Sequence, residues 1–451
     1  MNTVSTLFYR YQTHLFLIGV LMYGLTASLL AEKTLTWMVG CTFLTFCSQI
    51  ALLFYYVNKE ELCFTSKRLY TTVFLYTLLH AALFMAISYF YTGDTYMFSK
   101  SDAMLYTEVS QKFIDLGITD GFKYLSSHID MDDWGAVLWD ALCLSIVPDK
   151  LFLNFMYILL GTFGSIYLFK TGRFFMSDKY AFLGSLTFST SSFWIFYHCG
   201  FLKETAMVFF IIASMYHAYS FVIKQNYAGL GYAIFFGSLL IFFRPAILGF
   251  LVIAFMFYYA ILHRKNALGF FLLIAALGLS VLVIDKMSHA IDRYTAGGDI
   301  EGVIAYRSNA NYSGAFNYFM SFFGAICGPF PTIPSSDPEM PKHIQFYAPG
   351  LIVKLFLALP FWLGVTHFLR ERQWQSIPII SFILLEMLAT AVICASMELR
   401  KVLPHIPFMY ISSFYAIYKY DQSEHREIPL QKVSFLVIFL MLFVWNIIKV
   451  K

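Results

Sequence analysis

The sequence predicts an all-α fold, a polytopic membrane helical bundle of about thirteen transmembrane helices in a single transmembrane domain over 1–451. Three observations predict it. Hydrophobic residues make up 59% of the chain and charged ones 13%, where soluble domains carry about a quarter charged. The mean hydropathy is +0.66. Apolar runs of about 20 residues, enough to cross about 30 Å of hydrocarbon, recur from end to end. A water-soluble chain of 451 residues has too little interior to hide so much apolar surface. The 50 Phe and 31 Tyr suit lipid-facing and interfacial surfaces.

In chain order the predicted spans are 14–31, 34–57, 69–91, 151–169, 180–198, 204–223, 227–243, 246–262, 267–284, 349–369, 376–396, 403–418 and 433–448. The first has one upstream basic residue, Arg10, lacks a small-x-small exit and is followed at once by a second run. It reads as a retained helix rather than a cleaved leader. The weakest run is 180–198, rich in Ser and Thr. With the N-terminus inside, the short inner loops hold roughly twice as many Lys and Arg as the short outer ones, the bias expected of cytoplasmic loops. The expected location is an inner membrane of bacterial type, with the N-terminus cytoplasmic.

That orientation puts two long hydrophilic segments, 92–150 and 285–348, on the same outer, periplasmic face, each expected to carry amphipathic interfacial helices. The first holds ten carboxylates, and Leu105, Val109 and Phe113 recur at helical spacing. The second turns apolar at Phe316–Ile326 and breaks at Gly328-Pro329-Phe330-Pro331. That run is too short to span, so a re-entrant or interfacial piece is expected.

Other classes are disfavoured. A net charge of +4 without a basic stripe or zinc-finger spacing gives no case for nucleic acid. The seven cysteines are scattered and mostly inside apolar runs, where they read as small hydrophobes, and the eleven histidines show no HxxxH or HExxH pairing.

The informative residues are ionisable groups at the outer ends of spans, where a charge near hydrocarbon is expensive. Asp102 opens an amphipathic helix whose N-terminus favours its ionised form, and such a carboxylate can act as a general base on an acceptor hydroxyl. The competing reading is a capping box with Ser99. Lys203 and Glu204 open one span, Arg244 and Pro245 lie between two others, and Arg400 and Lys401 end an eleventh. Arg293 and Arg307 in the second long loop join them. Cations gathered there suit a lipid-linked phosphate, because guanidinium binds phosphate oxygens bidentately. Snorkelling to lipid head groups is the competing reading. Asp133, in Asp132-Asp133-Trp134, is either a metal or acceptor ligand or part of a solvated loop with an interfacial Trp.

Asp102-Ala-Met-Leu-Tyr106 resembles a motif of the GT-C superfamily of integral membrane glycosyltransferases, which includes the protein O-mannosyltransferases; Gly200-Phe-Leu-Lys-Glu-Thr205 and Phe243-Arg-Pro245 are similar to pairs in its bacterial members, and Gly328-Pro-Phe-Pro331 to bacterial polysaccharide-assembly membrane proteins. Features of O-antigen polymerase-like proteins are also visible. The resemblance implies transfer of a sugar from a polyprenyl-phosphate donor to a glycan, lipid or protein acceptor, in polysaccharide or glycoconjugate assembly. It implies Asp102 as base, with Tyr106, Lys203, Glu204, Arg244, Arg293, Arg307 and Arg400 binding the substrates. Glu204 would take the family's second acidic position. A divalent metal, Mg or Mn, would draw ligands from Asp102 and Asp133. Two rivals stand beside it: a polymerase or ligase acting on undecaprenyl-pyrophosphate glycans, and a lipid or glycan transporter. The transporter ranks lower because no inverted repeat is visible and the charges favour one face.

Overall fold

The computed structural model describes residues 33–58, 64–93, 95–96, 100–295, 322–328, 344–391 and 399–422. The fold is all-helical, 88% helix with no strand among those residues. Among the described residues, five helices are long and apolar enough to cross a membrane: Ser66–Phe90, Lys150–Gly172, Glu204–Lys224, Pro245–Leu262 and Phe346–Arg370. Shorter apolar helices accompany them at Leu44–Val57, Tyr227–Phe242, Ala267–Val283 and Trp374–Ala389. The predicted spans 14–31 and 433–448 lie outside the described residues, as do Arg307, Ser99, Pro329 and Pro331.

Helix boundaries follow local chemistry. α1 (Lys33–Val57) precedes α2 (Ser66–Thr92), whose Thr65 hydroxyl caps the Arg68 amide and whose end is closed by Gly93 in the left-handed region, φ 73°. α3 (Lys100–His128) bends at Gly117, whose φ of 73° no residue with a Cβ adopts cheaply. A 3-10 turn at Met131–Asp133 leads to α4 (Trp134–Ile146). Asp149 caps α5 (Lys150–Gly172) by accepting from the Leu151 amide at 2.7 Å.

The predicted span 180–198 differs from expectation. It is two short helices, α6 (Asp178–Ser189) and α7 (Ser192–Cys199), broken at Thr190 and Ser191. The reason lies in the hydroxyls. Thr190 and Ser191 donate to the carbonyls of Leu186 and Thr187 at 2.8 Å each, competing with the helical ladder. The break is buried and satisfied from other helices. Gln49 donates to the Thr187 carbonyl at 3.0 Å, and the Gly350 amide donates to the Ser192 hydroxyl at 2.9 Å.

Two hairpins then set the ends of the bundle. α8 (Glu204–Lys224) turns at Gln225, left-handed at φ 54°, into α9 (Tyr227–Leu239). After a 3-10 turn at Leu240–Phe242, α10 (Pro245–Leu262) starts with proline in its first turn, where no amide is needed. α11 (Ala267–Thr295) follows. Chain reversal therefore returns Lys203 and Arg244 to one end and leaves Arg264 at the other. α11 also runs past the expected boundary at 284, because neither Gly nor Pro occurs before Gly297.

α12 (Ile344–Arg370), α13 (Ile377–Ala389), a single turn α14 (Leu399–Val402) and α15 (Ile406–Gln422) complete the bundle. α12 packs on α15 and α7, α5 on α8 and α6, and α10 on α11 and α13. These helices share one large hydrophobic core. Tyr106, Val109, Leu125, Ala136 and Val137 form a separate small one between α3 and α4. Of the expected stripe, Val109 is buried and Leu105 is 45% exposed, and the face turned to α4 carries Tyr106, Val109 and Ser110, whose hydroxyl donates to the Val137 carbonyl at 2.9 Å. Packing against α4 chose the face, which periodicity alone could not do.

Candidate functional site

Five parts of the chain meet at one end of the bundle: the start of α3, the turn before α4, the starts of α8 and α10, and α14. Lys203 occupies the N-cap position of α8 and ion-pairs with the Asp133 carboxylate. Its ammonium also donates to the Asp132 carbonyl at 3.2 Å. The Tyr106 hydroxyl, one turn along α3 from Asp102, donates to Asp133 Oδ1 at 2.9 Å. The Asp132-Asp133-Trp134 segment is therefore not a solvated loop. It is a clamp joining α3, α4 and α8.

Burial raises Tyr106 above the usual phenol range, and the negative charges of Asp133, Glu204 and Asp102 add to the effect. The phenol stays a hydrogen-bond donor. Asp132 is also raised, chiefly by burial and against the pull of Lys203.

The second half of the site is built on arginines. Arg400 Nη1 donates to Asp102 Oδ2 at 2.8 Å, an ion pair whose side chains are 36% and 40% exposed. Arg244 Nη1 donates to the Arg400 carbonyl at 3.4 Å, and its other terminal nitrogen lies 3.7 Å from Glu204 Oε1. Glu204 is 3% exposed. Buried Glu386, from α13, lies within the field of Arg244. A continuous line of contacts thus runs from Asp102 through Arg400 and Arg244 to Glu204, beside the Lys203–Asp133–Tyr106 clamp.

Glycine makes the approach possible. A Cβ on Gly135, at the start of α4, would lie 2.4 Å from the Phe243 ring. The bare backbone lets α4 settle against Phe243, the residue before Arg244. The turn into Lys203 carries another constraint: Phe201, fully buried, holds φ at 53°, a region bulky residues rarely enter.

The site residues expected from sequence divide accordingly. Asp102, Tyr106, Asp133, Lys203, Glu204, Arg244 and Arg400 come together. Arg293 lies on α11, but its side chain is outside the described residues, and Arg307 is outside them altogether. Asp102 and Asp133 are the carboxylates expected to hold a divalent metal. Each carboxylate already accepts from a cation, and no group of three or more His, Cys, Asp or Glu that could hold a metal occurs among the described residues.

Some residues with chemistry escaped the sequence reading. Asp140 is fully buried on α4, accepts from the Tyr157 hydroxyl at 2.7 Å, and is pushed up to about 8 by burial. Lys354 is fully buried inside α12 and donates to the carbonyls of Gly328 and, at 3.2 Å, Ala325. Those carbonyls end the short helical stretch 322–327, so a cation sits at its C-terminus. The available signal was a lone charge within an apolar run, which also marks Glu386.

No protein-family model, curated protein or solved structure matches this chain.

Proposed function

We propose that the chain is a membrane glycosyltransferase that moves a sugar from a polyprenyl-phosphate-linked donor to an acceptor at the outer end of a bundle of about thirteen crossings. The observation that carries the reading is the contact line Asp102–Arg400–Arg244–Glu204 at one rim. It joins a part-exposed carboxylate with guanidiniums suited to phosphate, beside the ends of the membrane-length helices α8 and α10.

In this reading Asp102 accepts the proton of the acceptor hydroxyl as its oxygen attacks the anomeric carbon. The bond from that carbon to the phosphate oxygen breaks, and the electron pair leaves with the phosphate. Arg244 and Lys203 stabilise the charge gathering on the leaving group. Both cations already have carboxylate partners, so the phosphate enters by sharing them. The 3.7 Å Arg244–Glu204 contact is the looser pair and the one that yields first. Tyr106 keeps Asp133, and through it Lys203, in place.

The test is transfer from labelled polyprenyl-phospho-sugar donors by the purified full-length protein in lipid. Asp102→Asn is expected to lose at least about 100-fold in turnover, the low end of what a general base contributes. Loss of transfer in Arg244→Gln with near-normal turnover in Asp102→Asn would favour the polymerase or ligase reading, which needs cations more than a base. No transfer by the wild-type protein with any donor overturns the proposal.

A further inference from the structure

The opposite end of the bundle holds a second site. A cavity of about 340 Å³ is lined by the α10–α11 hairpin, His263, Arg264, Lys265 and Asn266, together with Trp374. α10 runs from Arg244 to this hairpin and is about 27 Å long, so the cavity lies a membrane's thickness from Asp102.

Three features give it chemistry. It is cationic: Arg264 and Lys265 line it, Arg370 and Arg372 lie on the segment that carries Trp374, and none of its lining residues is a carboxylate. The acid of that segment, Glu371, is taken up by Lys419 at 2.7 Å and by the Tyr415 hydroxyl at 2.9 Å. It is shaped: a Cβ on Gly269 would lie 2.2 Å from the His263 carbonyl, so the hairpin is folded tightly onto the first turn of α11. The Arg264 guanidinium stands over the Trp374 indole, 5.4 Å from its centre. Its lip is apolar: Ile261 and Leu262 line it, Leu262 is exposed, and exposed Leu268 and Phe271 share a face of the first turn of the adjoining α11.

We propose that this cavity binds the phosphate headgroup of an anionic membrane phospholipid. Arg264 and Lys265 face the phosphate, Trp374 sits at the glycerol level, and the exposed Leu and Phe side chains meet the acyl chains. The apolar lip is what selects a lipid over free phosphate, which has nothing to place there. The site is independent of the sugar-transfer reading.

The experiment uses full-length protein reconstituted in vesicles of phosphatidylcholine with added phosphatidylglycerol. Retained lipid is counted by native mass spectrometry after transfer to detergent. Arg264→Gln with Lys265→Gln is expected to weaken phosphatidylglycerol retention roughly thirty-fold, each juxtamembrane cation contributing about fivefold. Trp374→Leu weakens it with no change of charge. Lys67→Gln with Lys224→Gln, equal in charge loss and at the same end of the bundle, leaves retention unchanged. Helicity by circular dichroism confirms that each variant folds. Wild-type retention in the Arg264/Lys265 variant overturns the proposal, as does an equal loss in the Lys67/Lys224 control. Displacement of the lipid by soluble glycerol phosphate at equal concentration also overturns it, and makes the cavity a free-phosphate site.

Discussion

Replacing Lys203 by Met keeps the length of the side chain and removes the cation that faces Asp133. In the native pair the side chains are 11% and 28% exposed, so both charges work in a medium poorer than water. Removing one partner of a fully buried pair costs about 3–5 kcal/mol, whereas exposed pairs are worth about 0–1 kcal/mol. This pair lies nearer the buried limit. Asp133 keeps the Tyr106 hydroxyl at 2.9 Å, which softens the loss, so about 2–3 kcal/mol is expected. Asp133→Asn in the same protein removes the stranded charge, and the double variant should recover to within about 1 kcal/mol of wild type. The assay is reversible unfolding of the full-length protein in mixed micelles, with the four proteins forming a double-mutant cycle. Equal stability of Lys203→Met and wild type, or strict additivity in the double variant, would refute the claim that this clamp fastens α8 to the turn before α4.

Three further outcomes follow from single contacts. Asp140 has its folded pKa raised by burial from 3.8 to about 8, so its contribution to stability is fully present below about pH 4 and is lost as pH rises through about 8. Asp140→Asn, which still accepts from Tyr157, should flatten that decline and be the more stable protein at pH 9; an unchanged pH–stability profile counts against it. Gly135→Ala drives a methyl against Phe243 and should cost about 1–3 kcal/mol in thermal unfolding, with Phe243→Leu relieving part of the loss. Lys354→Met removes the ammonium from the Gly328 and Ala325 carbonyls, leaving Ala325 with His405 Nε2 at 3.3 Å, and limited proteolysis should then cut faster within 285–348 while the α8–α10 region keeps its protection.

Much of the site was legible because charge at the end of an apolar run is conspicuous. Lys203, Arg244 and Arg400 each stand beside an apolar run, and Asp102 lies at the start of a helix in the first long hydrophilic segment. The line of contacts itself was not legible. Asp102 pairs with Arg400 across 298 positions of sequence, and no local pattern encodes a partner at that distance. Asp133 looked solvated because three acids in a polar loop ordinarily are; the cation that binds it comes from α8. Asp140, Glu386 and Lys354 passed as incidental polar residues in apolar helices, since burial depends on which neighbours pack around them.

What the sequence by itself determined is the solvent and the secondary structure. A chain so poor in charge and so rich in apolar runs must satisfy its backbone within helices, and its hydroxyls, glycines and prolines mark where those helices start, break and turn. Tertiary structure alone decided which charges neutralise one another, that Gln49 and Gly350 brace the break in the Ser/Thr-rich run, and that a basic hairpin closes over Trp374. The physical reason is range. Hydropathy and capping act within a few residues of chain, whereas ion pairs and close packing are set by distances through space between elements far apart in sequence.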